Sequence, residues 1–300
     1  MLVFLQQLFN GLVLGSIYSL IALGYTLVYG ILMMINFAHS EFLMIGAFMG
    51  LGASSLCLNW GLGWPGVVIV FFAAMLGAGL LGVITERLAY RPLRHAMRLA
   101  PLISAIGVSI MLSNAVFLWV SNQSLPFPAI LPERSLTIGP VAAGSLQLLI
   151  FATALLLMIV LHLMVQKTKI GKAMRACADD TATAGLMGIN ADRIIAFTFL
   201  VGGALAGAAG VLNGMYYGSI KYNLGFLPGV KAFTAAVLGG IGNITGAVLG
   251  GFLLGLLEVA AAGYIPNGSQ WKDVVAFVVL IGVLLIRPSG ILGERVAEKV

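Results

Sequence analysis

The chain has 300 residues, of which 60% are hydrophobic and 9% charged, with a formal net charge of +6. A soluble domain is about 45–50% apolar and about 25% charged, so a mean hydropathy of +1.07 excludes a soluble monomer and a disordered chain. Continuous apolar runs also argue against an outer-membrane barrel, whose strands alternate apolar with polar, and leave an all-α polytopic helical membrane bundle of roughly eight to ten spans.

The first apolar run covers Phe4 to Tyr29. The residues ahead of it carry no basic region, and the first Lys or Arg is Arg87, so a span rather than a cleavable signal is expected. A second run, Ile31 to about Leu58, is interrupted by Asn36-Phe-Ala-His-Ser-Glu41. A third covers Trp64 to Ile84 and leads into a short basic loop, Glu86 to Arg98. A fourth runs from about Pro101 to Val120, and a Pro-containing loop with Glu133 and Arg134 follows it. A fifth ends near Val165, and Gln166 to Arg193 is the longest polar stretch. A sixth covers Ile194 to about Tyr217. Val230 to Tyr264 is Gly-rich and apolar, and the last span covers Val274 to Ile286 before the tail Arg287-Pro-Ser-Gly290.

Basic residues set sidedness. Arg87, Arg91, Arg94 and Arg98 share one loop; Lys167, Lys169, Lys172, Arg175 and Arg193 share another; Arg287, Arg295 and Lys299 lie in the tail. With all three groups in the cytoplasm, the N-terminus is outside and the C-terminus inside. The positive charge then marks loops rather than a nucleic-acid surface. An even number of crossings must separate Arg193 from Arg287. The simplest count gives three, so Val230–Tyr264 is expected to hold two crossings or a re-entrant part. Gly-x-x-x-Gly spacings at Gly11/Gly15, Gly46/Gly50, Gly203/Gly207, Gly210/Gly214, Gly242/Gly246, Gly246/Gly250 and Gly251/Gly255 point to closely packed helices. Gly30–Gly50 and Gly239–Gly255 each join a break to a Gly-rich apolar helix, a weak hint of an internal repeat.

Enzyme motifs are missing. The sequence has no phosphate-cradling Gly-x-x-x-x-Gly-Lys-Ser/Thr, no His-Glu-x-x-His and no Gly-x-Ser-x-Gly. His39, His95 and His162 are scattered. No catalytic residue, metal site or cofactor is therefore expected. Cys57 and Cys177 fall at opposite predicted ends and imply no disulfide.

Three segments carry polar chemistry. Asn36, His39, Ser40 and Glu41 stand inside an apolar run, where a charge costs about 2.5–3.5 kcal/mol or more. They read either as a pathway or gate lining or as a cap on a restarting helix, and the two are compatible. Leu238 to Gly246, with Gly239, Gly240 and Asn243, disfavours regular helix. It reads as cavity-lining backbone or as a packing kink. In the Gln166–Arg193 loop, Lys172, Arg175, Asp179 and Thr183 form the polar face of a surface helix. Met174, Cys177, Ala178, Ala182, Leu186 and Met187 give it an apolar side, and Gly188 a C-cap. Such a helix suits a partner's groove, or simply a solvated connector. Glu258 reads as lying near a helix end, and Lys272 and Asp273 as interfacial.

The stretch Asn10-Gly-Leu-Val-Leu-Gly-Ser-Ile-Tyr-Ser-Leu-Ile-Ala-Leu-Gly-Tyr-Thr-Leu-Val-Tyr-Gly30, with Ile35-Asn-Phe-Ala-His-Ser-Glu41, closely resembles the LivH-type permease subunit of branched-chain amino acid ABC importers. So do Gly171-Lys-Ala-Met-Arg-Ala176, Ala184-Gly-Leu-Met-Gly-Ile-Asn190, Ala204-Leu-Ala-Gly-Ala-Ala-Gly210, Val237-Leu-Gly-Gly-Ile-Gly-Asn243 and Arg287-Pro-Ser-Gly-Ile-Leu-Gly293. The resemblance spans residues 1–300 as one permease domain. It implies half of a pathway in a bacterial inner membrane, paired with a second, LivM-type permease, driven by two ABC ATPase subunits and fed by a periplasmic binding protein. It also implies that Lys172, Arg175, Asp179, Asp180, Ala184, Leu186, Met187 and Gly188 couple to an ATPase. Related permeases are assigned to urea, short amides and other amino acids, so these remain alternative substrates. A self-sufficient channel or proton-coupled carrier relaying through His39 and Glu41 is the rival class, with an intramembrane enzyme using the same two residues behind it.

Overall fold

The computed structural model describes residues 2–94, 96–97, 99–129, 135–138 and 141–293; His95, Arg98, Glu133, Arg134, Arg295 and Lys299 lie outside them. The first helices are α1 (Leu2–Leu32), α2 (His39–Asn59), α3 (Trp64–Thr85) and α4 (Leu99–Trp119). α3 continues through a π turn (Glu86–Tyr90) and a 3-10 turn (Arg91–Leu93). Then come β1 (Leu125–Pro126), β2 (Ser135–Ile138), β3 (Val141–Gly144), α5 (Ser145–Lys167), α6 (Lys169–Asp179), α7 (Thr181–Leu186), α8 (Ala191–Tyr217), β4 (Ser219–Ile220), α9 (Phe226–Gly239), α10 (Ile244–Tyr264) and α11 (Gly268–Ile286). β1 pairs antiparallel with β4 and β2 with β3, so the strands only tie together connectors.

Eight of the described helices are long and apolar enough to cross a membrane: α1, α2, α3, α4, α5, α8, α10 and α11. α1 is the axis of the bundle and is buried from Val13 to Val28, whereas α11 lies at the edge. α1 can be buried because it carries no charge, and its Ser16 and Ser19 hydroxyls donate to the carbonyls of Val13 and Gly15 in the preceding turn. α3, α4, α5 and α11 turn exposed Leu, Ile, Val and Phe outward, the surface a lipid solvent demands.

The segment Val230–Tyr264 holds most of one helix and all of the next. α9 and α10 form an antiparallel hairpin. With 14 residues α9 reaches only about 21 Å, short of the roughly 30 Å hydrocarbon core. At its start Gly225 and Gly229 pack on Ser40 at the start of α2, while Phe226 and Leu227 between them are exposed.

The polar connectors gather at one end. Arg91 and Arg94 pair with Asp192, joining the end of α3 to the start of α8. Asn243 donates to the Leu292 carbonyl at 3.0 Å, and Leu292 N–H to Gly239 at 2.9 Å, so the tail seals the α9–α10 turn. α6 packs beneath α1, α5 and α8.

Several of the small-residue spacings mark helix crossings, as at Gly15, and Gly82 makes a further one. A Cβ placed on Gly15 would sit 2.8 Å from Phe252 Cα, and one on Gly82 would sit 2.6 Å from the Phe199 carbonyl. Both neighbours are backbone, so a larger residue forces the helices apart. Gly82→Leu is expected to cost about 1–3 kcal/mol by overpacking. Gly107→Leu, with nothing within 4 Å of its Cβ, should be silent. Thermal unfolding in detergent checks the contrast, and equal midpoints would refute it.

Candidate translocation pathway and docking surface

The first break begins where Met33 turns to φ +52°, which ends the helical path of α1. Asn36 then organises the restart. Its Oδ1 accepts the Ala38 N–H at 3.0 Å and the Tyr90 O–H at 2.5 Å, and its carbonyl accepts the His39 N–H at 3.1 Å. Glu41 lies in the first turn of α2, where the helix dipole favours a carboxylate, and Ser109 of α4 donates to it at 3.0 Å. Among the described residues no side chain caps the first amides of α2, since Ser40 Oγ donates to the Phe37 carbonyl at 3.1 Å; Asn36, His39, Ser40 and Glu41 are instead all buried in the interior.

His39 and Glu41 diverge. The His39 ring lies edge-on to Tyr25, with centroids 4.7 Å apart, and against Gly24 of α1, while Glu41 reaches toward α4. Residues two apart on a helix do not face each other. No His39–Glu41 relay is assembled.

The second break is a turn. Gly240 and Gly242 take φ of +106° and +97°, which an L side chain rarely adopts. Asn243 caps α10 by accepting the Gly246 N–H at 2.9 Å, and its amide group is spent on Leu292. Gly239 packs on Gly246. Gly239, Gly240 and Asn243 thus close the hairpin under the tail, apart from Asn36–Glu41.

A charged cluster lies deeper. Lys231 Nζ is 2.8 Å from Glu258 Oε1 and 2.6 Å from Asp273 Oδ1, and Tyr18 O–H donates to Glu258 Oε2 at 2.8 Å. Four helices, α1, α9, α10 and α11, each contribute one member. Beside it a cavity of about 450 Å³ opens between α1, α8, α9 and α11, at the end opposite the basic connectors. Sequence reading placed Glu258 and Asp273 at helix ends or interfaces and passed over Lys231. A signal existed, since Lys231 is the sole charged residue between Lys221 and Glu258. A lone ammonium in such a run demands a buried acid.

The polar connector folds as two helices rather than one. Thr168 caps α6 by accepting the Gly171 N–H at 3.0 Å. Asp180 ends α6 and caps α7 by accepting the Ala182 N–H at 2.9 Å. Gly188, at φ +85°, lets Ile189 N–H reach back to the Ala184 carbonyl at 3.1 Å, closing α7. Met174, Cys177 and Ala184 face inward, and burial pushes the Cys177 thiol up, which keeps it protonated and inert. Arg175 turns back to donate to the Val165 carbonyl at 2.5 Å and so caps α5. Lys172, Asp179 and Asp180 are exposed. Leu186 and Met187 stand 89% and 79% exposed at the tip, an apolar knob among polar neighbours.

Comparison with known proteins places this arrangement. Residues 7–284 match the family model described as branched-chain amino acid transport system / permease component. The chain belongs to this permease family. It is 50% identical over 303 residues to the high-affinity branched-chain amino acid transport system permease protein BraD of Pseudomonas aeruginosa, covering 99% of this chain and 98% of the relative. It is 45% identical over 306 residues to LivH of Escherichia coli K12, covering 100% and 98%. A probable branched-chain amino acid permease, LivH of Methanocaldococcus jannaschii, is 28% identical over 95% of this chain and 91% of its own length.

The permease is thus a multi-pass membrane protein whose relatives are transport components rather than enzymes. For this permease the expected helical bundle and the family resemblance both hold. Among the described residues no three His, Cys, Asp or Glu side chains cluster as metal ligands.

Proposed function

We infer that this permease is the membrane subunit of an ATP-driven importer of branched-chain amino acids in a bacterial inner membrane. A second, LivM-type permease would complete the pathway. Two ATPase subunits would supply the energy and a periplasmic binding protein the solute. The observation that carries this reading is identity of 45–50% over the whole chain to BraD and LivH. The exposed Leu186–Met187 knob supports it: an apolar tip on a capped helix pair fits a groove in a soluble partner. The shared end of Arg91, Arg94, Lys169, Lys172 and Arg287 supports a cytoplasmic position for α6, α7 and the tail, with the N-terminus outside. Asn36–Glu41, buried where α2 and α9 both begin, is the segment we assign to the gate, with the Gly239–Asn243 turn as the hinge of the adjoining hairpin.

The test is uptake of radiolabelled leucine by proteoliposomes holding the permease pair, ATPases and binding protein. Uptake is expected only with ATP inside the ATPase-bearing compartment, and leucine, isoleucine and valine should compete while urea does not. Full flux from the purified chain alone, or flux that collapses with an uncoupler at constant ATP, would overturn the reading.

A further inference from the structure

The cavity at the end opposite the basic connectors is bordered by the link between α8 and α9. Tyr18, Asn213, Tyr217, Lys231 and Asp273 form its polar side, and Leu224, Phe226, Leu227 and Pro228 its apolar side. Asn213 decides what it could hold. It is 1% exposed, and neither its amide oxygen nor its amide nitrogen meets a partner among the described residues. A buried amide without partners is costly, and a native site that keeps one calls for a ligand or water. Asn213 can accept from one group and donate to another.

The charges around it narrow the ligand. Lys231 is engaged by Glu258 and Asp273, but Asp273 is 37% exposed and keeps acceptor capacity for a further donor. Lys221 and Lys272 also border the cavity, with Lys272 Nζ 5.9 Å from the Tyr217 ring centroid. A simple anion would meet Asp273, and a simple cation would meet three ammonium groups. A molecule that carries an ammonium and a carboxylate on one carbon, joined to a short apolar branch, satisfies each wall. The volume of about 450 Å³ admits it with water to spare.

We propose that this cavity binds the zwitterion of an apolar α-amino acid. The Asn213 carbonyl oxygen and Asp273 hold the ammonium, the Asn213 amide group with Lys272 and Lys221 holds the carboxylate, and Leu224, Phe226 and Leu227 receive the side chain. This deepens the functional reading above and rests on it. In the proposed orientation the cavity is the outward half-site, met before the Asn36–Glu41 segment.

The experiment uses the complete transporter with binding protein in proteoliposomes, and reads ATP-driven leucine uptake. Asn213→Leu removes the amide at nearly constant volume, and Leu227→Trp fills the cavity from its partly exposed rim. Both are expected to lower uptake more than tenfold while the complex still elutes intact. Leucine binding to the permease–ATPase complex in nanodiscs, without binding protein, should fall in parallel. There 3-methylbutylamine and 4-methylpentanoate, each carrying one of the two charges, should compete at least tenfold more weakly than leucine. Wild-type uptake by an intact complex bearing either variant would overturn the site and leave a water-filled vestibule. Equal competition by a one-charge analogue would overturn the zwitterion assignment. Should Asn213→Leu fail to assemble, Leu227→Trp decides alone. Absence of ATP-driven leucine uptake in the wild-type complex would instead sink the functional reading, so the two failures are distinguishable.

Discussion

Lys231→Met is expected to lower the stability of the folded permease by about 3–5 kcal/mol, the cost of leaving a buried acid unpaired. Glu258 is even more buried than the lysine, at 2% against 7% side-chain exposure, and keeps only the Tyr18 hydroxyl once Lys231 is gone. The informative comparison is the double variant Lys231→Met with Glu258→Leu. Removing both charges removes both desolvation costs, and replacing a buried pair with apolar side chains is often neutral or stabilising. Asp273, at 37% exposure, can turn to water. The double variant should therefore recover most of the thermal midpoint and monodisperse yield that the single variant loses. If single and double variants unfold alike, the pair does not interact as the 2.8 Å contact requires. Uptake need not return with stability, because the cluster borders the cavity assigned to the amino acid. Stability and transport should separate in this variant.

Leu186→Asp and Met187→Asp are expected to abolish ATP-driven uptake while leaving the bundle folded. Each side chain stands almost wholly in solvent, so an aspartate there displaces no internal contact. In a partner's groove the same change buries an unpaired charge, and the loss of an apolar anchor costs about 2 kcal/mol or more, a roughly thirtyfold weaker docking. Copurification of the ATPases and uptake should fall together, with an unchanged unfolding midpoint. Full copurification and uptake in both variants would show that the ATPases grip another surface. Ala184→Asp and Arg175→Glu are poorer probes. Ala184 is 4% exposed and Arg175 caps α5, so either change damages the connector itself.

These two cases show unequal legibility. The connector was readable because caps are local: Thr168, Asp180, Gly188 and Asn190 each close bonds that span two to five residues, and their residue types announce it. Its division into α6 and α7 was not read, because Asp180 sits mid-run and serves both helices. The break at Asn36 was also visible, yet a choice between surface and interior needed Tyr90 and Ser109, which come from 54 and 68 residues away. The sequence left Val230–Tyr264 open between two crossings and a re-entrant part, and the segment holds the end of a 14-residue helix followed by one long enough to span.

Apolar content, run length and the placement of Arg and Lys by themselves determined a helical membrane bundle with one basic end. Each of these is a transfer free energy that depends on residue type and not on neighbours. The tertiary structure alone decided which polar residues are spent and which are available. Lys231 finds Glu258 and Asp273, Asn243 finds Leu292, and Asn213 finds no partner among the described residues, because a hydrogen bond or ion pair exists only where two distant segments are brought within about 3 Å.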